Sequence, residues 1–183
     1  MSIPKIIHQC WKTSTIPKRW RPMVASVKKY HPGWEYKLWT DDSMEQHVKK
    51  YHPELYPVYM AMELNIMRAD VFRYVIMHDQ GGMYCDLDYE FIRPYDYSRT
   101  DLVLPVEFDP KYGDMTTEYA NYIFASIPKY PMWDDVLKDL INNPPVLRKE
   151  GDVVQLTGPG FLTRIFLENQ HKYQNYRIVR GRS

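Results

Sequence analysis

The stretch from Asn65 to Glu90, NIMRADVFRYVIMHDQGGMYCDLDYE, constrains the fold more than any other part of the chain. A helical pattern runs into a glycine pair, a short apolar run follows, and two aspartates one residue apart close it. Glycine readily takes the left-handed position after a helix's last turn, so Gly81-Gly82 marks a helix stop. Met83, Tyr84 and Cys85 then read as a brief strand. On an extended backbone residues two apart face the same way, so Asp86 and Asp88 can address one cation. Oxygen-only ligands suit Mg²⁺ or Mn²⁺, which keep waters and take one or two carboxylates plus phosphate oxygens. An isolated Asp-x-Asp arises by chance in many chains. The apolar residues before this one, and the glycine pair upstream, give it a structural setting.

The 183 residues are read as one domain, 1–183. A chain of that size buries ~70% of its unfolded surface, enough for a full core. A formal charge of +1 excludes an electrostatic hold on bulk nucleic acid or an acidic membrane. No apolar run approaches the ~20 residues of a spanning helix, and no secretory signal opens the sequence. With only Cys10 and Cys85 there is no disulfide framework, so the expectation is a soluble, cytoplasmic protein without a transmembrane segment. Sixteen Tyr and five Trp supply flat faces suited to stacking on a base or a sugar, although most such residues fill cores.

Along the chain, Ile6, Ile7 and Cys10 fit a buried first strand, with His8, Gln9 and Trp11 at or just past its carboxyl end, where open α/β sheets bind ligands. Lys18 to Tyr30 reads as an amphipathic helix with Trp20, Met23, Val24 and Val27 on one side. Trp34 to Trp39 alternates like a half-buried strand. Asp41-Asp42-Ser43 is expected to cap a helix reaching Tyr51. One long helix is expected from about Met60 to Met77. Asp70 and Arg73 share a face of it, either as an intrahelical ion pair or as ligand-holding groups in a polar cleft. Later elements are strands over Leu102–Val106 and Asn121–Ser126, a loop over 107–117, a helix over Trp133–Ile141, and a final helix over Phe161–Glu168 after the LTGPG turn. Residues 173–183 read as a frayed basic tail.

Taken together, IPKIIHQCWK, RADVFRYVIMHDQGGMYCDLD, NYIFAS (121–126) and LTGP (156–159) resemble glycosyltransferase family 32, with its DXD sugar-binding region; the glucosyltransferase domains of large clostridial toxins look like distant relatives. The resemblance implies an α/β, Rossmann-like GT-A fold with a central, mostly parallel sheet. It also implies a retaining transferase that moves a hexose from a UDP- or GDP-linked donor to a glycan or other hydroxyl acceptor. By position, Asp86 and Asp88 match the metal-holding pair and, with Arg73, form the catalytic set, the cofactor being Mn²⁺ or Mg²⁺. Trp11 matches a tryptophan that stacks on the donor base. Asp70 matches an aspartate on ribose and sugar hydroxyls, and Asn121 an asparagine beside the transferred sugar. His8, Cys10, Asn65 and Tyr84, in the same matching stretches, complete the substrate-binding candidates. Many relatives continue to a histidine and a Ser-Trp pair that help close the site. The sequence to Ser183 does not carry them, which sets metal completion and turnover in question more than donor binding.

Other readings are a catalytically impaired nucleotide-sugar binder and an aspartate-nucleophile phosphatase, which also places Asp-x-Asp after an apolar strand. The latter usually has Thr or Val after the second Asp, where this chain has Tyr89. A zinc site from His8, Cys10 and Cys85 lacks a fourth ligand.

Overall fold

The short apolar runs become the strands of one seven-stranded sheet in the computed structural model, which describes residues 2–113 and 115–180. In chain order they are β1 (Ile6–Cys10), β2 (Glu35–Trp39), β3 (Gly82–Cys85), β4 (Leu102–Phe108), β5 (Glu118–Tyr119), β6 (Ile123–Ser126) and β7 (Tyr176–Val179). The helices are α1 (Arg21–Tyr30), α2 (Asp41–Tyr51), α3 (Tyr56–Ala61), α4 (Asn65–Gln80), α5 (Pro131–Asn142), α6 (Val153–Leu156) and α7 (Pro159–Asn169). The order across the sheet is β2-β1-β3-β6-β4-β5, with β7 also paired to β4. β1, β2 and β3 are parallel; β6 is reversed against both β3 and β4, so β4 and its parallel partner β7 run with the first three. The result is the expected α/β architecture with a mostly parallel sheet.

Strand alternation sorts side chains onto two faces. Tyr84, Leu102, Leu104 and Phe124 pack among buried residues of α2, α4, α5 and α7. Met83, Cys85, Val103, Ile123 and Ala125 pack with Ile7, Val27 of α1 and Phe91. Burying each large apolar side chain contributes about 1.5–3 kcal/mol, so both layers are needed to hold the sheet. α4 lies inside the larger layer, buried on nearly every side from Asp70 to Met77.

Three expectations are corrected here. The helix expected over 60–77 is two helices: α3 ends at Ala61 and α4 starts at Asn65. Arg68 stabilises the break, its Nη2 donating to Met60 O at 3.2 Å and Met62 O at 3.0 Å, carbonyls left without helical partners. The cap of α2 is Thr40, one residue earlier than expected. Thr40 Oγ1 accepts from Ser43 N at 3.3 Å and Thr40 N donates to Ser43 Oγ at 2.8 Å, a reciprocal capping box. The expected frayed tail contains β7, paired from Tyr176 opposite Leu102 to Val179 opposite Pro105. Asp101 N and Thr100 Oγ1 donate to Asn175 O at 2.8 and 2.9 Å and anchor its start. Residues 181–183 of that tail lie outside the described residues.

The glycine pair does what a side chain would prevent. Gly81 has φ 62° and ψ −155°, a conformation essentially confined to glycine. Gly82 has φ 94°, and a Cβ there would lie 2.4 Å from Ile6 O of the neighbouring strand. β3 therefore leaves α4 directly and docks against β1, which aims Asp86 and Asp88 at the end of the sheet where β1 also ends.

Candidate active site

α4 contributes one wall of a cleft of about 340 Å³ through Asn65, Ile66, Ala69 and Arg73. Cys10, Trp11 and Lys12 at the end of β1 form a second wall, and Tyr84, Asp86, Leu87 and Asp88 at the end of β3 a third. Trp20, Asp41 and Met44 complete the lining. The volume suits a small-molecule ligand.

Arg73 is buried at the centre of this arrangement. Its Nη1 donates to Asn121 O at 2.6 Å, and its Nη2 stands 3.3 Å from Asp70 Oδ1 and 3.4 Å from Asp86 Oδ1. The guanidinium also lies over the Tyr84 ring at 4.7 Å. Burial opposes its charge, but Asp86, Tyr84 and Asp70 more than offset that and hold its pKa well above the ordinary value. Arg73 is a permanent cation in a low-dielectric wall.

Asp70 is behind the cleft lining, not in it. Its Oδ1 accepts from Asn121 Nδ2 at 3.1 Å and its Oδ2 from Thr157 Oγ1 at 3.0 Å. Burial raises its carboxyl to about 6, with Arg73 and the Thr157 hydrogen bond pulling the other way. The two readings left open for the Asp70–Arg73 pair therefore combine. It is an intrahelical ion pair, and Arg73 alone presents it to the cleft. Asn121 likewise acts through Asp70 and Arg73 rather than lining the cavity.

The carboxylate pair is asymmetric. Asp86 Oδ1 accepts from Tyr84 Oη at 2.6 Å and faces Arg73, so it is oriented from two sides. Asp88 is exposed on the cleft and has no hydrogen-bond or ion-pair partner among the described residues. A fixed carboxylate beside a free one, both oxygen donors opening on one cavity, fits a hard divalent cation. Burial pushes the Tyr84 phenol well above its usual range, so it remains a proton donor to Asp86.

Two aromatic side chains shape the mouth. Trp11 meets Trp20 edge to face, with ring centroids 4.6 Å apart. Trp20 read as part of a helix face in the sequence, and Asp41 as a helix cap; both line the cleft instead. Thr157, in the LTGP segment, holds Asp70 and carries no local sequence signal of that role. Only contacts distant in sequence reveal these three.

His8 does not line the cleft. Its Nδ1 accepts from Trp39 Nε1 at 3.1 Å and its Nε2 donates to Gly81 O at 3.0 Å, so both ring nitrogens are engaged inside the sheet. Burial lowers its pKa to about 4. The placement of His8 as a substrate-binding residue is therefore corrected: it holds β2 and the glycine turn in place. Cys10 does reach the cleft, and burial pushes its thiol up to about 12. Cys85 packs on the opposite face of the sheet, so His8, Cys10 and Cys85 do not converge on a metal.

Residues 17–104 match the family described as a glycosyltransferase sugar-binding region containing a DXD motif. The chain carries a glycosyltransferase sugar-binding region. That region holds the glycine pair, Arg73 and both aspartates, while Trp11, Asn121 and Thr157 join it through the fold. The chain is 34% identical over 173 residues to inositol phosphoceramide mannosyltransferase 1 of Schizosaccharomyces pombe, covering 90% of this chain and 51% of that protein. It is 31% identical over 186 residues to mannosyl phosphorylinositol ceramide synthase SUR1 of Saccharomyces cerevisiae, covering 98% of this chain and 44% of that protein. The chain thus spans about half the length, or less, of these curated relatives. Among solved structures, a chain described as PaToxG glycosyltransferase superposes with a TM-score of 0.71 at 18% identity, covering 91% of this chain and 70% of that one. This likeness extends the shared fold beyond the sugar-binding region to nearly the whole chain. Among the described residues no helix is long and apolar enough to cross a membrane.

Proposed function

We propose that this chain is a retaining, divalent-cation-dependent hexosyltransferase that takes its sugar from a UDP- or GDP-linked donor. The observation that carries the reading is a buried, permanently charged Arg73 beside an oriented Asp86 and a free Asp88, all on one tryptophan-edged cleft. Asp86 and Asp88 would hold Mn²⁺ or Mg²⁺, which when bound neutralises charge on the leaving diphosphate. Arg73 adds a second, fixed positive charge that needs no reorganisation as the sugar–phosphate bond breaks. Asp70, Asn121 and Thr157 keep Arg73 in position. Trp11, backed by Trp20, offers the face for the base, and Cys10, Asn65 and Tyr84 border the donor.

In the reaction the anomeric C–O bond breaks with its electron pair leaving on the diphosphate. An acceptor oxygen forms the new bond, and its proton passes to the departing phosphate. Retention is assigned to attack on the face from which the diphosphate leaves. Asp70 has both oxygens engaged in hydrogen bonds and so makes a poor covalent nucleophile, while Asp86 and Asp88 are given to the cation. The relatives' names point to mannose as the hexose and to an inositol-phosphate-bearing sphingolipid as the first acceptor to try. A reducing, cytoplasmic setting would suit the two free cysteines.

The test is calorimetric titration of UDP and GDP, then of their sugars, with and without Mn²⁺, followed by an assay for sugar release. Mn²⁺-dependent binding of one nucleotide, with slow hydrolysis of its sugar conjugate, supports the proposal. Binding without any turnover would make the protein a nucleotide-sugar binder. A folded protein that binds neither nucleotide would overturn both readings.

A further inference from the structure

Three histidines gather on one carboxylate at the far end of α4. Asp79 Oδ2 faces His47 Nε2 at 2.7 Å, Asp79 Oδ1 faces His78 Nδ1 at 2.7 Å, and His52 Nε2 lies 2.9 Å from each oxygen. His47 comes from α2, His52 from the turn that follows it, and His78 and Asp79 from the last turn of α4. All four are largely shielded, with side chains 9–18% exposed. Ligand atoms of His52, His78 and Asp79 all lie within 4.8 Å of one another. Counting along the helix, the group is about 20 Å from Asn65, the start of the cleft wall. None of these residues has a part in the sugar-binding cleft.

We propose that His52, His78 and Asp79 bind a divalent transition-metal ion of the zinc class, with His47 and Asp134 orienting the ligands. Two imidazole nitrogens and one carboxylate oxygen suit Zn²⁺ better than the hard ions that oxygen-only sites hold. The outer contacts match what metal sites require. His78 directs Nδ1 at the cluster and its other nitrogen, Nε2, at Asp134 Oδ1, 3.1 Å away. This is the carboxylate–histidine–metal arrangement, in which the outer acid fixes the ring and its tautomer. His47 holds Asp79 Oδ2 in the same way and leaves Oδ1 on the side of His52 and His78.

Without a metal, His78 faces a carboxylate at each ring nitrogen, and the Asp79 hydrogen bond raises its pKa despite opposing burial. A metal ion would take the place of the Nδ1 proton, which goes to solvent, while the Nε2–H bond to Asp134 persists. His52 would coordinate through Nε2 with its own proton on Nδ1. Zinc takes nitrogen at about 2.0 Å, so tetrahedral ligands sit ~3.3 Å apart: the histidine–Asp79 contacts open slightly from 2.7 and 2.9 Å, and the two histidine nitrogens, within 4.8 Å of one another, close to that spacing. The fourth position is left to water. The ion would tie α4 to the turn after α2 and, through Asp134, to the start of α5.

The test uses metal-depleted protein at neutral pH, with Co²⁺ as the spectroscopic probe and Zn²⁺ displacing a chromophoric chelator. The expected result is saturable uptake of one tight equivalent, ahead of any looser occupancy of the Asp86–Asp88 pair, with nitrogen/oxygen ligand-field bands and no thiolate charge-transfer band. Proton release should accompany binding, and Zn²⁺ should raise the melting temperature. His52→Gln and Asp79→Asn should weaken uptake at least about 100-fold, and Asp134→Asn about 10–100-fold. Circular dichroism establishes that each variant is folded, and the wild-type Co²⁺ spectrum stands without any of them. Folded wild type that takes up neither ion would overturn the site, leaving a hydrogen-bonded staple. So would tight uptake that survives unchanged in a folded His52→Gln.

Discussion

Arg73 on α4 stands 3.4 Å from Asp86 beyond β3, so one buried guanidinium couples the cleft's helical wall to its carboxylate pair. Arg73→Met keeps most of the volume but strands Asp70 in the interior without its counter-charge. Breaking a buried pair costs about 3–5 kcal/mol, which urea denaturation should register. Arg73→Lys retains a charge but not the fork that reaches Asn121, Asp70 and Asp86 together. It should fold and lose transfer activity by about 100-fold, the scale for removing one preorganised charge contact.

Asp88 is the opposite case, exposed and without a partner among the described residues. Asp88→Asn should leave folding stability within about 0.5 kcal/mol of wild type. Mn²⁺-dependent donor binding should nevertheless fall steeply. Unchanged Mn²⁺ dependence in calorimetry would remove Asp88 from the cation site.

Trp20 supports Trp11 edge to face at the mouth of the cleft. An aromatic pair of this kind is worth about 0.5–1.5 kcal/mol beyond its buried area. Trp20→Ala should therefore weaken nucleotide binding several-fold with little effect on the metal. Equal losses for nucleotide and metal would point to collapse of the cleft instead.

His8 carries a pH signature. Its folded pKa, about 4, lies below the unfolded 6.5 because burial disfavours the imidazolium. The stability it contributes is fully present above 6.5 and is lost as pH falls through the interval towards 4, by about 3 kcal/mol in all. Nitrogen NMR should show a neutral ring at pH 5.5 with the proton on Nε2. A ring already charged at that pH would contradict the buried, doubly bonded arrangement.

Gly82→Ala should destabilise the protein by more than the ordinary Gly-to-Ala change can offset. The new Cβ would meet Ile6 O at 2.4 Å, and φ stays at 94°. Strain of this kind costs of order 1–3 kcal/mol before the β1–β3 pairing is disturbed. Thermal melts of Gly82→Ala and of Gly33→Ala, a positive-φ glycine with open space around it, separate the clash from the backbone term.

The local signals of the fold were legible where one residue type does one job. Gly81-Gly82 and the alternating strands depend on backbone geometry within a few residues, and the structure keeps both; Asp86 and Asp88 instead lie past the end of β3 in a turn, Tyr89 N donating to Asp86 O at 3.2 Å, rather than on extended backbone. Trp20, Asp41 and Thr157 were not legible as site residues, because what recruits them is a wall formed by distant segments. α4 shows the same limit from the other side. Buried nearly all round, it has little polar face to set a period, so its start at Asn65 is fixed by Arg68 reaching back to α3. β7 was obscured by its flanking charges. Arg177 and Arg180 look like a basic tail until β4 provides an edge to pair with.

That pairing has a consequence for how the chain is assembled. β7 pairs with β4 from Leu102 to Pro105 along the edge opposite β6 and β5, which share the other edge: Ile127 N donates to Asp101 O and Ala120 N to Pro105 O. A ribosome delivers β4 well before β7, with α5, α6 and α7 made in between. Throughout that interval the Leu102–Pro105 stretch of a hydrophobic strand has one edge unmated. Distant partners of this kind slow folding and expose strand edges to other chains. β7 is therefore a latch that closes after synthesis has passed the cleft, and truncation just before Tyr176 should yield a chain that aggregates through β4 even though every residue of the cleft is present.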